Sequence, residues 1–291
     1  MQDIRYERPA TVDAAVALLH SGQARLLAGG TDLIPQLREG RRAADVVVDL
    51  KHIRELTALT HLSDGGWLIG AAVSVGQLGR DAVFAEMHTA LLESARLIGS
   101  LQVQNRASLG GNLCNAAPSA DAVPLLICLG ADAEIAGPGG RRRRLPVEKL
   151  ATAPGRTTLE AGEMLVAIVL PPKPARMAAK YLRFTPRREM DIAVAGSGVM
   201  IRLDAAGAIA EARITLASVA PVPLRAANAE ASLIGARPSK PLFEAAGQRA
   251  AAEARPISDT RGSADYRREL VAVLTRRALL DCATQLGIAA P

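Results

Sequence analysis

Apolar positions along the chain keep two different periods, and the changes of period mark its elements. Val12, Ala15, Val16 and Leu19 recur at helical spacing after Thr11, a residue type suited to cap a helix start, which predicts a short helix over 11–19. Arg25, Leu26, Leu27 and Ala28 then read as a strand running into Gly29-Gly30. A second helix is predicted over 32–38, ended by Gly40, and the β-branched run Val46-Val47-Val48 predicts a buried strand within 45–50. The first fifty residues therefore predict a small α/β unit.

Further along, 60–63 and 67–72 flank Asp64-Gly65-Gly66, a composition suited to a hairpin turn. Helical spacing returns over 89–98 and gives way to a polar, glycine-rich stretch, 102–121, that is long for a simple connection. Pro171-Pro172-Lys173-Pro174 can continue neither a helix nor a sheet and predicts a linker. Beyond it, strands over 193–203 and 211–219, a turn near Gly207 and helices around Ala226, Leu242 and Tyr266 predict a further unit starting near Lys180. A chain of 291 residues exceeds the usual size of one domain. The expected division is 1–55, 56–175 and 176–291, with no internal repeat.

Composition keeps the chain in the globular class, at 49% hydrophobic and 22% charged residues. No apolar run of about 20 residues is present, and Met1 to Pro9 mix acids with bases, so neither a membrane span nor a signal peptide is expected. Cys114, Cys128 and Cys282 form no CxxC pair, which suits a reducing cytoplasm. The net charge of +6 comes from scattered arginines, and one Trp, three Tyr and three Phe offer little to stack on bases, so nucleic-acid binding is not expected. The arginine run 141–144 follows Gly137-Pro138-Gly139-Gly140 and predicts a solvated hairpin tip.

Candidate chemistry centres on two glycine pairs. Ala28-Gly29-Gly30-Thr31-Asp32 lies between a strand and a helix, and Ser108-Leu109-Gly110-Gly111-Asn112 repeats the small polar composition. Missing Cβ atoms let the main chain approach an anion, and successive amides at a helix start can cradle phosphate oxygens. Two such loops from separate units would clamp a dinucleotide; the alternative is that each pair is an ordinary turn. Neither matches the nicotinamide fingerprint or the P-loop, and no Cys₄ set, HExxH or GxSxG is present. His20, His52, His61 and His88 share no metal-ligand spacing, while Tyr181 and Trp67 could stack on a ring but equally suit a core.

The stretches Leu27-Ala28-Gly29-Gly30-Thr31-Asp32-Leu33 and Gln104-Asn105-Arg106-Ala107-Ser108-Leu109-Gly110-Gly111-Asn112-Leu113-Cys114-Asn115-Ala116-Ala117-Pro118-Ser119-Ala120-Asp121 resemble the two FAD motifs of the xanthine dehydrogenase family. Arg187-Arg188-Glu189-Met190-Asp191-Ile192-Ala193 and Arg261-Gly262-Ser263-Ala264-Asp265-Tyr266-Arg267-Arg268 extend the resemblance over nearly the whole chain. It is similar to the separate medium subunit of carbon monoxide dehydrogenases and bacterial xanthine dehydrogenases.

This resemblance implies an α+β protein. Two α/β subdomains would form a PCMH-type, vanillyl-alcohol-oxidase-like FAD-binding fold, followed by a C-terminal α+β domain like that of the carbon monoxide dehydrogenase flavoprotein. It implies phosphate contacts from Ala28, Gly29, Gly30, Thr31, Asp32, Ser108, Gly110, Gly111 and Asn112. It also implies a ribityl or ribose contact from Asp121, and places Leu165 and Arg183 near the isoalloxazine, where the family often has lysine in place of Arg183. A plain helix-start acid is the other reading of Asp121. No histidine sits in either glycine loop, so FAD is expected to be bound non-covalently.

The resemblance further implies a large molybdenum-cofactor subunit and a small subunit with two [2Fe–2S] clusters as partners, assembled as a dimer of heterotrimers. Electrons would leave through FAD to NAD⁺ or another acceptor. Three cysteines are too few for the additional cluster that some members carry on this subunit. A stand-alone FAD-dependent oxidoreductase and a non-catalytic nucleotide-binding module remain the alternatives.

Overall fold

The computed structural model of the chain describes residues 4–20, 23–187 and 190–288. Strands Arg5–Glu7, Ala24–Leu27 and Val46–Asp49 form a parallel three-stranded sheet with the last of them in the centre. Parallel neighbours need crossovers, and helices Val12–His20 and Leu33–Arg38 lie within them. The Ala14 amide donates to Thr11 Oγ1 at 3.2 Å, so the expected cap forms. The first glycine loop leaves the carboxyl end of strand Ala24–Leu27, the end at which α/β sheets take ligands.

The second sheet is antiparallel and runs in the order Leu59–His61, Trp67–Gly70, Met164–Leu170, Asp132–Ala136, Arg142–Pro146. Its centre, Met164–Leu170, is buried at every position but Val169. The long polar connection contains two short helices, Leu101–Gln104 and Leu109–Asn115. Gly110 and Gly111 thus lie in the first turn of a helix, and not in a loop of the kind formed by Gly29 and Gly30.

The arginine run leaves the expected hairpin turn, with Arg141, Arg142 and Arg144 exposed. Only 138–140 make the turn, and Arg142–Pro146 is an edge strand. Alternation sends Arg142 and Arg144 to one face, where they meet Glu55 (2.6 Å) and Glu134 (2.7 Å), and Arg143 to the other, where it meets buried Glu163 (2.6 Å). Charged side chains on an edge also discourage pairing with another sheet.

Strands Met177–Phe184, Ala195–Leu203, Ile209–Ala217 and Leu224–Arg225 form a four-stranded antiparallel sheet. Neighbouring residues of Ala195–Leu203 point to opposite faces. Ser197 hydrogen-bonds Thr275 of helix Ala264–Gln285 (2.8 Å), and a Cβ on Gly198 would come within 3.0 Å of Pro124 in helix Val123–Cys128. The sheet is therefore covered on both faces, which is why this strand is almost wholly buried.

One core joins Val12, Val16 and Val48 of the first unit to Ile69, Leu126 and Met164 of the second. The first unit's separate cluster is small, built on Leu27, Ala44 and Val47, whereas the third unit has a large core of its own. Trp67 and Tyr181 are core residues: Trp67 packs edge-on to Phe84 at 5.2 Å, and Tyr181 is 5% exposed.

Candidate functional site

The two glycine segments line one cleft of about 1050 Å³, partly open to solvent. Of the residues singled out in the sequence, Ala28, Gly29, Gly30, Thr31, Asp32, Ser108, Gly110, Gly111, Asn112 and Leu165 all face it. Among the described residues, the backbone amides of Gly29, Gly30, Thr31 and Asp32 have no protein acceptor. Ser108 caps the second segment, its Oγ accepting from the Gly111 amide at 3.0 Å. Apolar wall comes from Leu26, Leu50, Ala71, Ile98, Leu159 and Leu165.

Two of the glycines answer to the protein itself more than to an anion. A Cβ on Gly29 would stand 2.0 Å from the Arg106 carbonyl oxygen, and one on Gly110 would stand 2.4 Å from that of Ala71. Gly29 thereby lets the first two units close on each other beside the cleft, while Gly110 lets helix Leu109–Asn115 pack against Ala71 within the second unit. Gly30 serves differently, through its φ of +79°.

Side chains that sequence reasoning left unassigned complete the site. Lys51 Nζ donates to the Ala28 carbonyl at 3.1 Å and is held by Asp49, which also accepts from Tyr6 Oη. Asn115 spans the cleft, accepting from Gln36 Nε2 and donating to Asp32 Oδ1, each at 3.3 Å. Asn115 lies four residues after Gly111, on the same helix face, and that spacing was the available signal. Burial raises the Asp32 carboxyl above its usual range, and Arg41 and Arg42 pull it back. Cys114 lines the cleft with its thiol pushed up to about 12 by burial, an inert group.

Asp121 and Arg183 lie outside the lining of this cleft and meet each other at 2.5 Å, with Tyr181 Oη donating to Asp121 at 3.0 Å. Desolvation lifts Asp121 to about 6, against the pull of Arg183 and Tyr181. Asp121 immediately precedes Ala122, the cap of helix Val123–Cys128, and its carboxylate pairs with Arg183. Arg188 and Glu189 of the third motif lie outside the described residues. In the fourth, buried Arg267 donates to the Val194 and Ser218 carbonyls (2.6 and 3.1 Å) and to Asp259 (2.7 Å), a structural role.

Residues 2–173 match the family described as FAD binding domain in molybdopterin dehydrogenase, and 180–282 match the CO dehydrogenase flavoprotein C-terminal domain. The chain belongs to the FAD-binding medium subunits of the xanthine and carbon monoxide dehydrogenase family. It is 34% identical to a putative xanthine dehydrogenase FAD-binding subunit of Escherichia coli K12 over 97% of each chain. It is also 34% identical to the carbon monoxide dehydrogenase medium chain of Afipia carboxidovorans over 94% of each. The solved carbon monoxide dehydrogenase of Hydrogenophaga pseudoflava superimposes with a TM-score of 0.91 at 32% identity, covering 97% of this chain and 98% of that one. Quinoline 2-oxidoreductase from Pseudomonas putida 86 gives 0.91 at 28%, covering 98% of both.

This medium subunit is accordingly an FAD-binding oxidoreductase subunit, as its residues allow. The amides without acceptors suit a diphosphate, and Asn112 Oδ1, buried in the cleft lining without a partner, suits a hydrogen-bond donor on the ligand. No helix among the described residues is long and apolar enough to cross a membrane.

Proposed function

We propose that this subunit relays electrons within a molybdenum hydroxylase, holding FAD in the cleft between its two glycine segments. In this reading a large molybdenum-cofactor subunit oxidises the substrate and a small subunit with two [2Fe–2S] clusters delivers electrons to FAD. NAD⁺ or another acceptor removes them, and the assembly is a dimer of heterotrimers working in the cytoplasm. The carrying observation is the row of acceptor-free amides at 29–32 facing Gly110 and Gly111 across one cleft. When bound, FAD supplies the redox chemistry, taking electrons singly and releasing them in pairs.

The chain's own part is to position and to exclude. Backbone amides at 29–32 and the capped helix start at Ser108 orient the diphosphate, while Leu165 and its apolar neighbours shield the flat part of the ligand from water. Asp121 and Arg183 are assigned to the ribityl and ring end, where the guanidinium would favour a reduced, anionic flavin. Purification of the native assembly tests the whole reading. Molybdenum, iron and FAD are expected together, and acid precipitation should leave the flavin in the supernatant; flavin retained in the pellet, or subunits free of iron, would contradict it.

A further inference from the structure

The cleft wall carries two arginines, Arg25 and Arg42, that make no ion pair among the described residues. Arg42 follows the turn after helix Leu33–Arg38, where the Gln36 carbonyl accepts from the Arg41 and Arg42 amides at 2.9 and 3.2 Å. Its side chain is half-buried and lines the cleft, and among the described residues no carboxylate lies within ion-pairing distance. Its neighbour Arg41 pairs with Glu39 at 2.5 Å and does not line the cleft. Arg25 stands beside Arg42, because its Nε donates to the carbonyl of the next residue, Ala43, at 3.1 Å. That bond leaves the two terminal nitrogens of Arg25 without a protein acceptor among the described residues.

Half-burying a guanidinium without an anion costs solvation and returns nothing to the fold. Its planar fork matches phosphate oxygens, which it binds by charge-assisted, paired hydrogen bonds. The one acid lining the cleft, Asp32, would repel a diphosphate, and Arg42 offsets it. The wall is therefore positive overall on the side where 29–32 present their amides.

We propose that Arg42, with Arg25 beside it, is the cationic grip on the FAD diphosphate, and so selects FAD over flavins without one. This rests on the reading that FAD occupies this cleft. The full chain, stripped of flavin, is titrated with FAD and with riboflavin by flavin fluorescence, at low and high salt. Arg42→Gln should weaken FAD binding at least about tenfold, the factor carried by one charged hydrogen bond. It should leave riboflavin binding unchanged and reduce the salt sensitivity of FAD binding. Arg42→Lys should recover part of the loss. Unchanged FAD affinity, or equal weakening of both ligands, overturns the assignment. If the unsubstituted chain bound neither flavin, the cleft reading itself would fail, and the two failures are distinct.

Discussion

At the scale of single residues, the glycines differ in what they can tolerate. Gly110 is pressed against the Ala71 backbone, whereas a Cβ on Gly111 would meet only Ser108 Oγ, at 3.1 Å. Gly110→Ala is therefore expected to cost about 1–3 kcal/mol by overpacking and to lower flavin content, with Gly111→Ala milder on both counts. Thermal unfolding together with the ratio of flavin to protein absorbance reads the difference; equal effects would refute the packing account. The paired glycines were legible in the sequence because the residue type itself is the signal. Arg25, Arg42 and Lys51 were not, since nothing local distinguishes a cleft-facing polar side chain from a solvated one, and Asn115 offered only its spacing from Gly111. Their roles arise from contacts between residues as far apart as Gln36 and Asn115.

Among the elements, edge strand Arg142–Pro146 owes its anchorage to Glu163. Arg143 holds that carboxyl down to about 2, with help from the Glu160 amide and against its own burial. A depressed folded-state value means that the stabilisation is complete above the ordinary carboxylate range of about 4.3 and is lost as pH falls from there towards 2. Glu163→Gln should therefore destabilise by about 1–3 kcal/mol at neutral pH, and the gap to the unsubstituted chain should narrow below pH 4; denaturant titrations at several pH values measure it. Amphipathic helices, the hairpin at Asp64-Gly65-Gly66 and the proline break were readable from periodicity and turn chemistry. Strand Met164–Leu170 was not, because a strand buried on both faces has no alternation to read. Helix Leu109–Asn115 was hidden by glycines in its first turn, where the Ser108 cap and the contact with Ala71 outweigh their poor propensity.

For the molecule as a whole, Asp121 ties the second unit to the third through Arg183 and Tyr181. Its folded-state value is raised to about 6, chiefly by desolvation. The sign is opposite to that of Glu163: burial favours the protonated carboxyl in the folded chain, so stability falls as pH rises from about 3.9 through about 6. Asp121→Asn should abolish this slope between pH 4 and 6 in the flavin-free chain. An unaltered slope, followed by chemical denaturation, would assign the pH dependence to other groups.

The continuous core behind the cleft has a consequence for how the cofactor enters and leaves. Lobes that share one interior are expected to resist swinging apart like a jaw, and on the proposed reading the flavin is then expected to enter along the groove. Damage to packing far from the groove, at Val16 or Leu126 for instance, should then show first as a protein that has lost its yellow colour while still folded.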